Sequence, residues 1–326
     1  MTSQLFAQAS EIGPVKEEKA FGHAYDGRYH MPLLPGEEGP KSGGDHVSRG
    51  IMRMTNLAGA IEDTRALNVW EQGMALIGLA LSPELHEELV LTVQQAEADG
   101  VIFELLRDYP DLKEALAGTA HDQGKQEASI AGRAKRAARA HASAARGTHR
   151  HTAWEHRANT SQLIGTPAIQ ASTLRTEELL AAAGLVRLPG LSERVVRNVE
   201  LGAVGKFDDI LLEVKTGRLL MADLKTKATP FFSMTAVDVQ LAGYARSEWM
   251  LTQDGQGYEP GPLHHVDQIE GVILHVPSDG GPARLERADL VNGWECALLA
   301  REILRKRHYG KSVERMSRLP WVTPTD

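Results

Sequence analysis

The stretch from Val199 to Tyr244 constrains the fold more than any other, because it holds two strand-length apolar runs, Phe207 to Val214 and Leu219 to Lys225, separated by Lys215-Thr216-Gly217-Arg218. A short polar interruption containing glycine closes a β-hairpin, so the two runs are expected to pair as antiparallel neighbours. Side chains alternate between faces along a strand. Asp208 therefore shares a face with Ile210, Leu212 and Val214, while Asp223 and Lys225 share one with Leu219 and Met221. Each carboxylate ends an apolar face. A carboxylate turned toward a core is neutralised, paired or bound to a cation, and a second carboxylate nearby makes a divalent cation the simplest answer. Lys225, two residues after Asp223, brings an ammonium within reach of the same place.

Two further groups flank the hairpin. Downstream, Ala236 to Leu251 carries Val237, Leu241, Tyr244 and Glu248 at helical spacing, and Gln240 and Tyr244, four apart, share one helix face. Upstream lies Arg146-Gly147-Thr148-His149-Arg150-His151-Thr152-Ala153-Trp154-Glu155. In this order, that segment, Gly205-Lys206-Phe207-Asp208, Asp223-Leu224-Lys225-Thr226 and Gln240-Leu241-Ala242-Gly243-Tyr244 resemble the PD-(D/E)XK nucleases, in the branch that includes the RecB and AddB nuclease domains and RecB-like phage exonucleases. The ordered set is far more specific than a lone Asp-x-Lys. Its strong part runs from Arg146 to Tyr244, inside a looser match from Thr55 to Tyr309.

The resemblance implies a restriction-endonuclease-like α/β fold and metal-dependent phosphodiester hydrolysis. Asp208 and Asp223 would be carboxylate ligands of magnesium or manganese, with the imidazole of His151 and the backbone carbonyl of Leu224 completing the site. Lys225 would orient the attacking water or stabilise the pentavalent phosphorus. Gln240 and Tyr244 would hold the strand backbone or buttress Lys225. Glu155, one turn after His151, and Glu193 or Glu200 on the preceding strand are weaker candidates for the metal shell, and His149 is a rival turned away from His151 on the helix. The implied activity is exonucleolytic degradation of linear DNA without sequence specificity, in recombination, repair or phage DNA metabolism. A structure-specific endonuclease on the same fold, or a non-catalytic DNA-end-binding partner of a recombinase, are the alternatives. A recombinase or annealing protein is an expected partner, and ring-forming relatives raise a homo-oligomer.

Composition narrows the class. The chain has 326 residues, enough for one large or two small domains, and 42% hydrophobic content is ordinary for a globular protein. The single cysteine, Cys296, rules out a disulfide framework and a four-cysteine iron–sulfur site, which some RecB-like exonucleases carry. No stretch is long and apolar enough to span a bilayer and no signal core opens the chain, so a cytoplasmic protein is expected, in the host cytoplasm if phage-encoded. The net charge of −7 argues against a general nucleic-acid coat. Between Ile130 and Trp154, however, there is no acid, and Arg133, Lys135, Arg136, Arg139, Arg146 and Arg150 all fall there. On one continuous helix at about 100° per residue, Arg136, Arg139, Arg146 and Arg150 cluster on one face and Ala134, Ala138 and Ala145 on another. Such a row, running into His151, is expected to hold DNA phosphates.

The first 46 residues, rich in glycine, proline and glutamate, are expected to be a flexible arm with one ordered patch around Tyr25 to Leu34. Residues 47–145 read as a helical lobe; Ser82-Pro83-Glu84 is a helix start. Residues 146–309 read as the nuclease core and 310–326 as a tail. Within the core, Ser172 to Ala183 reads as a helix, Leu191 to Leu201 as a strand before the hairpin, Ala236 to Leu251 as a helix, Ile269 to Val276 and Ala283 to Arg287 as strands, and Leu290 to Arg307 as a closing helix. Helices, a hairpin, then helix, strand and helix give an α/β fold with a mixed sheet.

Overall fold

The computed structural model describes residues 24–25, 28–37, 48–62, 65–101, 103, 108–118, 123–140, 142–226, 234–277 and 281–309. The expected arm (1–46) and tail (310–326) lie largely or wholly outside them. In chain order the elements begin with β1 (Ala24–Tyr25), β2 (Arg28–Pro32), β3 (Ser48–Arg53) and α1 (Met54–Ala58). Six helices follow: α2 (Arg65–Leu81), α3 (Pro83–Ala98), α4 (Pro110–Ala117), α5 (Gln123–Ala128), α6 (Ile130–Ala137) and α7 (Ala142–Thr160). Then come α8 (Pro167–Ala182), β4 (Leu185–Arg187), β5 (Arg194–Asn198), β6 (Ala203–Phe207), β7 (Asp209–Glu213) and β8 (Leu219–Lys225). The chain closes with α9 (Met234–Ala245), β9 (Trp249–Leu251), β10 (Tyr258–Pro260), β11 (Glu270–His275), β12 (Arg284–Asp289) and α10 (Leu290–Tyr309). The fold is α/β with two mixed sheets. Two compact units emerge, Met1–Glu62 with His151–Asp326, and Asp63–Arg150. Among the described residues no helix is long and apolar enough to cross a membrane.

In the Asp63–Arg150 unit the described elements are all helical. Gly78 allows α2 to meet α6, because a Cβ there would fall 1.7 Å from the Ala134 carbonyl oxygen. The basic run is not one helix, contrary to expectation. Arg139 adopts a left-handed φ of 57°, and the amides of Arg139 and Ala140 donate to the carbonyls of Arg136 and Lys135. That pair of bonds is a Schellman motif, which ends a helix by satisfying its last carbonyls. Arg136 therefore sits on α6, Arg139 in the turn, and Arg146 and Arg150 on α7, so the four do not share one helix face. Two further cations of the run are already paired, Arg133 with Glu88 of α3 and Lys135 with Glu71 of α2.

In the other unit a seven-stranded sheet runs β1-β2-β3-β6-β5-β9-β10 and a five-stranded sheet runs β12-β11-β8-β7-β4. The expected hairpin is present: β7 and β8 pair antiparallel, with Asp209 opposite Ala222 and Leu212 opposite Leu219, around a turn where Gly217 takes a φ of 74°. β8 also pairs in parallel with β11. It is thus a central strand, and its residues Leu220 to Leu224 are buried on both faces. On one face Ile210, Met221 and Ile273 join the core formed with α1, α9 and α10. On the other, Leu211, Leu220, Ala222 and Leu224 pack with Trp154 of α7 and Leu180 of α8. Helix α9 stops at Ala245, six residues short of the expected Leu251. The side chain of Asn198 donates to the carbonyls of Gly243 and Arg246, 3.1 and 3.0 Å away, which closes the helix end. Trp249–Leu251 then pairs with β5.

Helices α9 and α10 meet at Gly293, where a Cβ would fall 2.3 Å from the Asp238 carbonyl oxygen. Asp289 caps α10 by accepting from the amides of Val291 and Asn292, and its own amide donates to the buried Asp238 carboxyl, 3.2 Å away. Burial pushes the Asp238 pKa up to about 6, with the Asp289 charge adding and the Asp289 amide subtracting. A folded-state pKa above the unfolded one favours the protonated fold, so this stabilisation is present below about pH 4 and lost as pH rises through about 6. Asp238→Asn is expected to raise stability at pH 8 by on the order of 2 kcal/mol and to leave it nearly unchanged at pH 4; denaturant unfolding at the two pH values measures the difference.

Candidate functional site

Asp208 occupies the single residue between β6, in the seven-stranded sheet, and β7, in the five-stranded one. Because the chain changes sheets there, the β7–β8 ladder ends at Asp209 and Ala222, and the Leu224 amide has no strand partner on that side. The Asp208 carboxylate takes its place: the Leu224 N–H donates to Oδ2 at 2.6 Å. A residue's N–H and C=O point to the same side of its strand, so the Leu224 carbonyl is directed toward that side as well.

Glu193 arrives by the β5–β6 hairpin. That ladder pairs Arg194 with Phe207, and one step further the Glu193 amide donates to the Asp208 carbonyl at 3.0 Å. Glu193 has a φ of 54°, a left-handed conformation sparsely populated outside glycine and concentrated at functional sites. His151, on α7, places Nδ1 3.5 Å from Asp208 Oδ2. His151, Glu193 and Asp208 each present a ligand atom within 4.8 Å of the other two. Asp223 and Lys225 follow from β8; their registry partners on β11 are Ile273 and His275. Lys225 Nζ lies 2.6 Å from Asp223 Oδ2, yet that oxygen is buried without a hydrogen bond of ordinary geometry.

The charges act on one another. Burial would depress the His151 imidazolium, but the hydrogen bond and charge of Asp208, with Asp223 and Glu193 behind it, raise it above the usual range. Asp208 is held below the usual carboxylate range: burial opposes ionisation, and His151, Lys225 and the Leu224 amide outweigh it. Asp223 moves the other way, raised by burial against the pull of Lys225. Burial also works against the Lys225 ammonium, but the charges of Asp223 and Asp208 prevail and raise it. Burial and the Asp208 charge push Glu193 up to about 7, although Lys206 pairs with it.

The fold thus brings His151, Asp208, Asp223 and Lys225 together with the Leu224 amide. Tyr244 is buried beside them: burial, then the charges of Asp223 and Asp208, drive its pKa up, and its ring lies over Gly205, where a Cβ would come within 2.3 Å of Cε1. Gln240 is partly buried on α9, and among the described residues its side chain makes no hydrogen bond. Glu155 is close enough for its charge to act on Glu193 and Lys206. Glu200 is exposed in the turn after β5 and stands apart from the triad. His149 is exposed in the Asp63–Arg150 unit, which also carries Arg136, Arg139, Arg146 and Arg150. Lys206, which pairs with Glu193, and Asp209, which follows Asp208, belong to the surroundings of the site without having been given a role from the sequence.

Two carboxylates and an imidazole with ligand atoms within 4.8 Å of one another, and the Asp223 carboxylate close enough for its charge to act on His151, form a set that fits a divalent cation. The chelator-stripped chain is expected to gain thermal stability on adding manganese, about 2.7 kcal/mol at a hundredfold excess over Kd. Asp208→Asn should remove that gain, and it should also lower the melting point without metal, because His151 and Lys225 lose their buried counter-charge. No protein-family model matches the chain, and no curated protein matches it.

Proposed function

We propose that the chain is a magnesium- or manganese-dependent deoxyribonuclease of the PD-(D/E)XK kind, on the RecB/AddB-like branch, degrading linear DNA from its ends without sequence preference. The reading is carried by one observation: an imidazole, two carboxylates and a lysine from α7, the β6–β7 junction and β8 converge at one buried place, with Lys225 Nζ 2.6 Å from Asp223 Oδ2 and His151 Nδ1 3.5 Å from Asp208 Oδ2. Mixed sheets flanked by helices on both faces of β8 are compatible with the restriction-endonuclease-like fold.

His151, Asp208, Asp223 and the Leu224 carbonyl would hold the ion, with Glu193 at the same point. When bound, it supplies an acidified water and charge stabilisation at phosphorus. The chain's own residues divide the remaining work. The Leu224 amide fixes the Asp208 carboxylate. Asp208 and Asp223 set the Lys225 pKa above its usual value, so the side chain is an ammonium at neutral pH. An ammonium donates hydrogen bonds and does not accept protons, so Lys225 orients the attacking water or braces a non-bridging phosphate oxygen. The water oxygen bonds to phosphorus and the opposite P–O bond breaks, one strand end leaving as an alcohol and the other as a phosphate. Tyr244 packs behind the acidic pair.

Linear DNA incubated with manganese is expected to be digested while covalently closed circles survive, and Asp223→Ala or Lys225→Ala should reduce turnover at least a thousandfold, on the order of 4 kcal/mol of transition-state stabilisation. Cleavage of closed circles would replace the exonuclease by an endonuclease; metal-independent binding without turnover would leave only a DNA-end binder. Arg136, Arg139, Arg146 and Arg150 are proposed to contact phosphates. Neutralising the first three should lower the salt slope of DNA binding by up to about three, and an unchanged slope would remove them from the interface.

A further inference from the structure

Beside the candidate site lies a buried polar cluster whose members are each close in sequence to one of its ligands. Asp209, 1% exposed, follows Asp208; Ser192, 6% exposed, precedes Glu193; Trp154, 4% exposed, comes three residues after His151 on α7. Arg187, the last residue of β4, joins all three. Its Nε and Nη2 donate to Asp209 Oδ1 at 3.2 and 3.1 Å, its Nη2 also to Ser192 Oγ at 3.1 Å, and its Nη1 to the Trp154 carbonyl at 3.0 Å. Its guanidinium lies 3.9 Å from the centre of the Trp154 ring. Ser192 Oγ and Trp154 Nε1 both donate to the Asp209 carboxylate.

We propose that Arg187 and Asp209 are positioning residues that lock the three ligand-bearing segments together, so that His151, Glu193 and Asp208 face one cation. This rests on the metal reading above. The three segments come from a helix, a turn and a sheet crossover, and among the described residues no other side chain bonds to all of them. Each bond acts on a neighbour of a ligand and not on the ligand itself: Asp209 accepts from Trp154 while Asp208 faces His151, two positions about one helical turn apart on α7. A planar guanidinium with five donors suits this task, and lysine, with one point of charge, cannot make the same four bonds. An apolar core at this place would fix the distance between segments but not the rotation of α7, which the indole N–H and the Trp154 carbonyl set from two directions.

The test is manganese affinity, measured by calorimetric titration of the full, chelator-stripped chain, beside its melting temperature. Trp154→Phe keeps the ring under Arg187 and removes one donor; Ser192→Ala removes one bridge; Arg187→Lys keeps the charge and loses the fork. Each is expected to weaken manganese binding about tenfold or more, whereas Leu290→Ala, a core truncation on α10, should lower the melting temperature and leave the affinity alone. If Arg187→Lys does not fold, the two milder variants decide the matter. Reduced melting temperatures with manganese affinity within twofold of the unsubstituted chain would make the cluster purely structural and overturn the proposal. Absence of manganese binding by the unsubstituted chain is a different result, which overturns the metal reading and the positioning role with it.

Discussion

A backbone amide left without a strand partner organises the site. Where the chain leaves the seven-stranded sheet for the five-stranded one, the ladder between β7 and β8 runs out, and the Leu224 N–H is buried beside Ala222 and Asp223 with no carbonyl opposite. A buried donor left unmade costs about 1–3 kcal/mol. The Asp208 carboxylate satisfies it, and in doing so is fixed on the same side as His151 and Asp223. A charge-assisted bond of this kind is stronger than a neutral one. It gives the crossover residue a structural reason to be acidic before any chemistry is considered. The same position with asparagine would still accept from Leu224, so the amide alone does not require a charge. The imidazole at 3.5 Å and the lysine beyond it do.

The hairpin and the meeting of Asp208, Asp223 and Lys225 were legible in the sequence, because they follow from a two-residue period and one glycine turn. The helix from Leu290 and the strand over Ile269 to Val276 were legible for the same reason: local pattern and tertiary position agree. Three features were not. The break at Arg139 carries no glycine or proline, and an arginine in a left-handed conformation leaves no mark in composition. The end of α9 is set by Asn198, over forty residues away, and a local pattern cannot contain that. The place of Glu193 was hidden by an unassigned register. Once Arg194 is paired with Phe207, residues whose numbers sum to 401 stand opposite each other, and Glu193 falls against Asp208. A hairpin turn placed at Val199 to Gly202 supplies that sum.

The carboxylates do not repel one another unchecked, because each has a cation of its own. Lys225 stands against Asp223, Lys206 against Glu193 and Arg187 against Asp209. Such pairs do not need to add net stability, since the cost of removing both charges from water offsets most of their attraction. Their consequence is that the acids are tolerated in the fold before a metal arrives. A cation entering among His151, Glu193 and Asp208 must then displace protons and compete with an ammonium, which makes its binding pH-dependent.

Lys225 and Asp223 are two apart on one strand face, so both side chains stand side by side instead of pointing at each other. The lysine must fold back to reach Oδ2, which explains how the two atoms come within 2.6 Å while the oxygen still lacks a well-aligned donor. The pair is held by charge attraction, and a cation near Asp223 or a phosphate near Lys225 offers each partner a competing charge. In the proposed reaction the carboxylate turns to the ion and the ammonium to the phosphate. The i, i+2 spacing thus keeps two opposite charges close enough to be buried together while both side chains face the same place.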